Sequence, residues 1–357
     1  MPTNRIFLRL IDHFRYSIQS DCRTIRSFVT VTTLIGLTAS SAHAAQLPGL
    51  ANPDQIAIDT EAAALLARPE IRAEKARIAA HYRADPQGET PGGAARIDSA
   101  VTTMAIASAL NVVGGDPDRP RVMWDSAALH RWGDVEIPAS GYGFDNPDNV
   151  YRQIPIDGAA RYEITGQVPP GGGPQQSFTL YRSLPGGPAS QPGPDGRPAA
   201  REGSPVLGTL MTRDLQIRPD GQFTITIDRD PASGRPNHMQ SADNPDEILI
   251  IRDTLADWSK ETANRLAVKR VGGPLPRPAL SQTEIVERTI ALMQSMAPFW
   301  IRYMNDYVFS TIGPNSIQPP QPRDGGWGFA AYGRFELAED EALVFTVDPL
   351  PDRKSVV

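Results

Sequence analysis

The groups best able to do chemistry gather at 143–152, Gly-Phe-Asp-Asn-Pro-Asp-Asn-Val-Tyr-Arg, followed by Ile156-Asp157-Gly158 and Arg161-Tyr162. Two carboxylates and a phenol in one short stretch could move a proton, so Asp145, Asp148 and Tyr151 are the candidate acid–base groups. Arg152 could fork onto an anionic or polar ligand. Asn149, Asp157 and Arg161, with Trp258 further along, complete a candidate binding set. The same oxygens could hold a hard cation, but the bidentate glutamate that closes a calcium loop is missing, and no metal is assigned. A purely structural reading competes. Asp and Asn before proline favour a turn, and their side chains satisfy local amides. The tetrapeptide Asp-Asn-Pro-Asp recurs at 243–246, just ahead of a strand pattern, as expected of a motif that introduces strands.

Beyond position 44 three histidines remain, His81, His130 and His238, and none has metal-ligand spacing. No nucleophile elbow, P-loop or dinucleotide fingerprint appears, so no cofactor is assigned. Trp124, Asp125, His130, Trp132 and Glu136 form an aromatic and polar patch. Tryptophan beside carboxylates suits sugars, though in a β protein it more often packs in the core.

The first 44 residues carry Arg5, Arg9, Arg15, Arg23 and Arg26, an uncharged apolar run at 28–37, and Ala42-His43-Ala44. Basic region, hydrophobic region and small-residue site are the order of a secretory leader, here with cleavage expected after Ala44 and a periplasmic destination. No stretch reaches the roughly 20 apolar residues that span a bilayer, so no transmembrane segment is expected after cleavage. The single cysteine, Cys22, lies inside the leader. Disulfides, thiolate-bound zinc and a cysteine nucleophile are thereby ruled out of the mature chain. The formal charge is −6, and −9 without the leader's five arginines and two aspartates. Such a surface repels a phosphate backbone, which argues against nucleic acid.

These groups must be positioned by elements readable from periodicity. Helical stripes run through Ile71, Ile78 and Tyr82, then Val101, Met104, Ala105, Ser108 and Val112, predicting a helical segment over 45–115. From 116 onward the period becomes two. Alternation at 161–166, 176–181 and 222–228, with further strands at 247–253 and 265–271, predicts an antiparallel β-sandwich or jelly roll. Asp220-Gly221 signals a hairpin. The Pro/Gly-rich stretch 184–205 is expected to be a mobile surface loop. Ser281 and Glu284 form a capping box opening a helix, and Pro298 is expected to kink or restart it, giving a C-terminal helix pair. A final hairpin, 328–337 with 341–347, is expected to join the middle sheet. The fold class is therefore mainly β with helices, the sandwich spanning 116–357 with its C-terminal helices and hairpin.

The run 145–152, with Ile156-Asp157-Gly158, Arg161-Tyr162, Gly166, 249–253 and Asp257-Trp258, resembles the bacterial domain of unknown function numbered 1214. The similarity covers about 124–271. It implies a β-sandwich or jelly-roll core and no established reaction. Two departures stand out: the Pro/Gly insertion, and helices where many relatives carry a companion β domain.

The functional expectation is a periplasmic protein that binds, and modifies if the acid–base groups act, a small organic or carbohydrate ligand at the loop end of the sandwich. The alternative is a non-catalytic envelope interaction module, favoured by the acidic surface and the Pro/Gly loop. Whether the chain is an enzyme stays open on these residues.

Overall fold

The computed structural model describes residues 6–10, 14–18, 50–143, 145–191, 204–323, 328–338 and 340–347. The apolar run and the expected cleavage site of the leader lie outside them. Within the expected leader, β1 (Ile6–Leu10) and β2 (Phe14–Ile18) pair antiparallel.

The helical segment comes first: α1 (Pro53–Leu65), α2 (Pro69–Arg83), the one-turn α3 (Pro91–Ala94) and α4 (Ile97–Val113). Asn52 caps α1 and Pro53 opens it, the preferred chemistry for a helix start. The predicted stripes do face inward. Ile71, Ile78, Val101, Met104 and Ala105 join one core with Met293 and Met296 from the C-terminal helix, and Tyr82 packs against it.

The sandwich follows. One sheet has the order β3-β6-β12-β8-β9, and its strands are β3 (Met123–Asp125), β6 (Asn149–Ile156), β8 (Gln175–Tyr181), β9 (Val206–Met211) and β12 (Glu247–Thr254). The other has the order β11-β10-β7-β13, from β7 (Arg161–Gln167), β10 (Gln222–Asp228), β11 (His238–Gln240) and β13 (Arg265–Gly272). In the chain between β3 and β6, β4 (His130–Trp132) and β5 (Val135–Ile137) make a small separate hairpin. Alternate residues of both sheets, among them Ile154, Ile164, Phe178, Ile225, Leu249 and Ile251, share one core, as period-two burial requires. At Gly166 a Cβ would lie 2.0 Å from the Phe223 ring, so the two strands meet there only because position 166 has no side chain.

Several expectations change. The turn at Asp220-Gly221 exists, with Gly221 at φ +81°, but the strand before it, β9, lies in the opposite sheet and β10 pairs with β7. Residues 184–191 of the expected loop are not a surface loop. Pro185, Gly186 and Gly187 are buried, the Ser295 hydroxyl donates to the Gly186 carbonyl at 2.9 Å, and buried Ser183, Ser190 and Ser204 bond to one another. Residues 192–203 lie outside the described set. The C-terminal helix pair is one helix, α5 (Gln282–Arg302), which passes through Pro298 and continues as a wider π-helical stretch over Tyr303–Phe309. Packing of Met293, Met296 and Phe299 holds the helix across the hydrogen bond that proline cannot make. Both halves of the Ser281/Glu284 capping box form.

The terminal hairpin does not join the middle sheet. Short ladders pair β14 (Ser316–Ile317) with β17 (Gly333–Arg334) and β15 (Gln321–Pro322) with β16 (Phe329–Ala330), while β18 (Phe345–Val347) pairs with β2. Among the described residues, no helix is long and apolar enough to cross a membrane.

Candidate functional site

The outer face of the five-stranded sheet turns towards the helices and should be apolar, yet it is polar. Cross-strand register lines up Asp125, Tyr151, Arg252 and Ser177 in one row. Two residues along, Met123, Gln153, Ile250 and Thr179 form the next. Of these Asp125, Gln153, Ser177 and Thr179 are buried. Burying unpaired polar groups costs free energy, so a polar floor under a helical layer calls for partners.

The partners come from β6, from the residue after β3 and from the segment between β5 and β6. Gln153 donates its amide to Asp125, and the Ser126 hydroxyl approaches the same carboxylate at 3.4 Å. Asp145 lies alongside, within the lowering pull of the Ser126 hydroxyl and of the Gly143 and Tyr142 backbone. A single hydroxyl thus stands between two carboxylates, on a residue held at φ +53°, a conformation that costs a non-glycine residue and persists where its surroundings enforce it. Burial, and then the Asp145 charge, push Asp125 up to about 7. Burial also raises Asp145, against the pull of its own hydrogen bonds. Tyr142 is raised well above the usual phenol range, first by burial and then by both carboxylates. Two neighbouring carboxyls whose surroundings both disfavour ionisation are the arrangement from which general acids and bases are made.

A gradient of access crosses the cluster: Tyr142, Asp145, Tyr151 and Arg252 are half-buried, while Asp125 and Gln153 lie beneath them. Trp300 of α5 closes one side, its ring 5.5 Å from that of Tyr142 and in contact with Gly143. Arg252 donates to the Tyr181 hydroxyl at 3.4 Å and stands 5.7 Å over the Tyr151 ring. Asp125 Oδ1 and Gln153 Oε1 are buried acceptors without a partner among the described residues.

The expected site residues divide. Asp145 and Tyr151 belong to this cluster, and Asn149 supports it by donating to the Tyr151 hydroxyl at 3.2 Å. Asp148 is half-exposed; its backbone N–H donates to Asn146 Oδ1 at 3.0 Å, and its carbonyl accepts from Leu255 at 2.7 Å. Asn244 repeats that turn for Asp246 at 3.3 Å, so both Asp-Asn-Pro-Asp copies do introduce strands. Arg152 is corrected. It points between the sheets, buried, ion-paired with Asp253 and donating to the Asn264 carbonyl at 2.5 Å, because its even register places it on the face of Ile154 and Ile156. The rim position expected for it is therefore not its place. Asp157 pairs with Arg277 at 3.2 Å, and Arg161 with Asp230 at 3.2 Å on the surface. Trp258 is exposed on the loop after β12. Among the described residues, none of these four bonds to the Asp125 cluster.

The aromatic patch also resolves into structure, Asp125 excepted. His130 lies between Trp124 and Trp132, and its ring nitrogens meet the Ala128 carbonyl at 2.8 Å and Asp59 at 3.1 Å. Trp132 and Gln55 complete the partners of Asp59 at 2.7 Å each. That network fastens α1 to the sandwich. A cleft of about 530 Å³ lies elsewhere, at the seam between helices and sandwich. Its Arg277 and Asp118 are paired with one another at 2.6 Å, so the outer-face cluster is the stronger candidate. No group of three or more His, Cys, Asp or Glu stands close enough to hold a metal among the described residues.

No family model and no curated protein matches the chain. Among solved structures, it is similar to an uncharacterized protein from Burkholderia cenocepacia, at 22% identity and a TM-score of 0.51 over 73% of this chain. The match spans 65% of that protein's length. The VPA0106 protein from Vibrio parahaemolyticus aligns over 37% of this chain and 32% of its own, at 19% identity and a TM-score of 0.25. The first likeness supports the fold alone.

Proposed function

We propose that this is an exported, periplasmic protein that binds a small polar organic molecule, carbohydrates included, over the outer face of the five-stranded sheet, with Asp125 and Asp145 as a proton-sharing pair for its modification. One observation carries this reading: two carboxyls linked by one hydroxyl, with Asp125 pushed up to about 7. Tyr142, Tyr151 and Trp300 supply apolar faces at the rim, and Arg252 and Gln153 supply polar atoms, the mixture usual in small-molecule sites. The test is a thermal-shift screen of sugars, polyols, hydroxy acids and amines against wild type and Asp145→Asn. A ligand that raises the melting temperature of wild type alone supports the reading. Equal shifts in both, or none across the screen, overturn it.

A further inference from the structure

We propose that the ligand taken up by the Asp125–Asp145 cluster carries a cationic amine, the ammonium replacing the proton that the two carboxyls share; this deepens the function proposed above and rests on it. The charge balance of the site points there. Two carboxylates face one guanidinium, and Arg252 leans away, donating to Tyr181 and lying over the Tyr151 ring. Its charge pulls Asp145 down, after the Ser126 hydroxyl and the backbone of Gly143 and Tyr142. The Tyr142 phenol beside the pair is held well above its usual range by burial and by both carboxylates, so it brings no charge at neutral pH. With both carboxyls ionised, the cluster lacks one positive charge.

The hydrogen-bonding inventory agrees. The floor of the cluster holds two buried acceptors without a partner among the described residues, Asp125 Oδ1 and Gln153 Oε1, on residues only 4% and 1% exposed, while a nearby unpartnered donor, the Trp300 indole N–H, turns towards Gly186. An ammonium offers three donors and no acceptor. An anionic ligand would meet two carboxylates instead. Tyr142, Tyr151 and Trp300 present ring faces at the rim, and aromatic faces attract organic cations. When the ammonium binds, the proton held by the carboxyl pair passes to solvent and no covalent bond changes.

Isothermal titration of the full chain with putrescine, D-glucose and calcium chloride, at pH 5.5 and 8.0, tests this. A site that must ionise with a pKa of about 7 is competent in roughly 3% of molecules at pH 5.5 and 90% at pH 8.0, so putrescine should bind about thirtyfold tighter at the higher pH. Near neutrality, titrations in buffers of different ionisation enthalpy should show proton release. Asp125→Asn, checked for fold by circular dichroism, should lose both effects. Glucose binding with putrescine silent overturns the amine and leaves the proposed function standing, and calcium displacing the proton in place of putrescine also overturns it. Putrescine binding that is flat with pH, or intact in Asp125→Asn, moves the site elsewhere. Silence from all three overturns the amine, and the wider ligand screen then decides the parent reading.

Discussion

At Asp125, burial and the Asp145 charge act in the same direction, so the folded chain keeps a proton that the unfolded chain gives up near pH 4. The stability held in that proton is fully present below pH 4 and is lost as pH rises to about 7, because over that interval the native state binds more protons than the unfolded one. A shift from 3.8 to about 7 corresponds to about 4 kcal/mol across this window. Asp125→Asn should keep the shape, remove the titration and flatten the melting temperature between pH 4 and 7, leaving the variant more stable than wild type at pH 8. Thermal melts at a series of pH values check this; parallel profiles for the two proteins would contradict it. Asp125 was readable only as one member of an aromatic patch, since nothing local distinguishes a carboxylate on the buried face of an edge strand from one in solvent. Tyr142 and Gln153 had no signal at all.

Among the elements, β6 shows how register assigns roles. Tyr151 and Gln153 face the helices, while Arg152 between them enters the sandwich and pairs with Asp253 of β12. Removing one partner of a buried ion pair strands the other, so Arg152→Ala should cost about 3–5 kcal/mol in urea unfolding. Replacing both, as Arg152→Met with Asp253→Leu, should cost far less. Loss of ligand binding without loss of stability in Arg152→Ala would restore the arginine to the site. In α5, Ser281→Ala removes an observed N-cap and should cost about 1 kcal/mol. Both effects were partly legible. The capping box was plain from Ser281 and Glu284, whereas the face of Arg152 depends on which side of β6 meets the second sheet.

For the whole molecule, two cores are joined through shared elements. Met123 of β3 lies in the helical core while its neighbour Trp124 belongs to a smaller cluster with Val150, and Asp118, just before β3, is held below the ordinary carboxylate range, against its burial, by Arg277 and Arg270. Arg277 lies on the approach to α5 and Arg270 on β13, so the helices and the sandwich should melt together. Calorimetry is expected to show one transition with calorimetric and van't Hoff enthalpies equal. Two separated transitions would mean that the seam contributes little.

Periodicity alone determined the strands at 161–166, 176–181, 222–228, 247–253 and 265–271 and the helical stripes through Ile71 and Val101, because burial on one face leaves its period in the chain. Turn chemistry determined the turns at both Asp-Asn-Pro-Asp copies, whose hydrogen bonds are local. Only the tertiary structure decided that 184–191 packs on α5, that β9 and β10 belong to different sheets, and that Asp125, Tyr142, Asp145 and Gln153 converge. Those outcomes depend on which distant surfaces meet, and a carboxyl's proton affinity follows from the neighbours that folding brings to it rather than from its position along the chain.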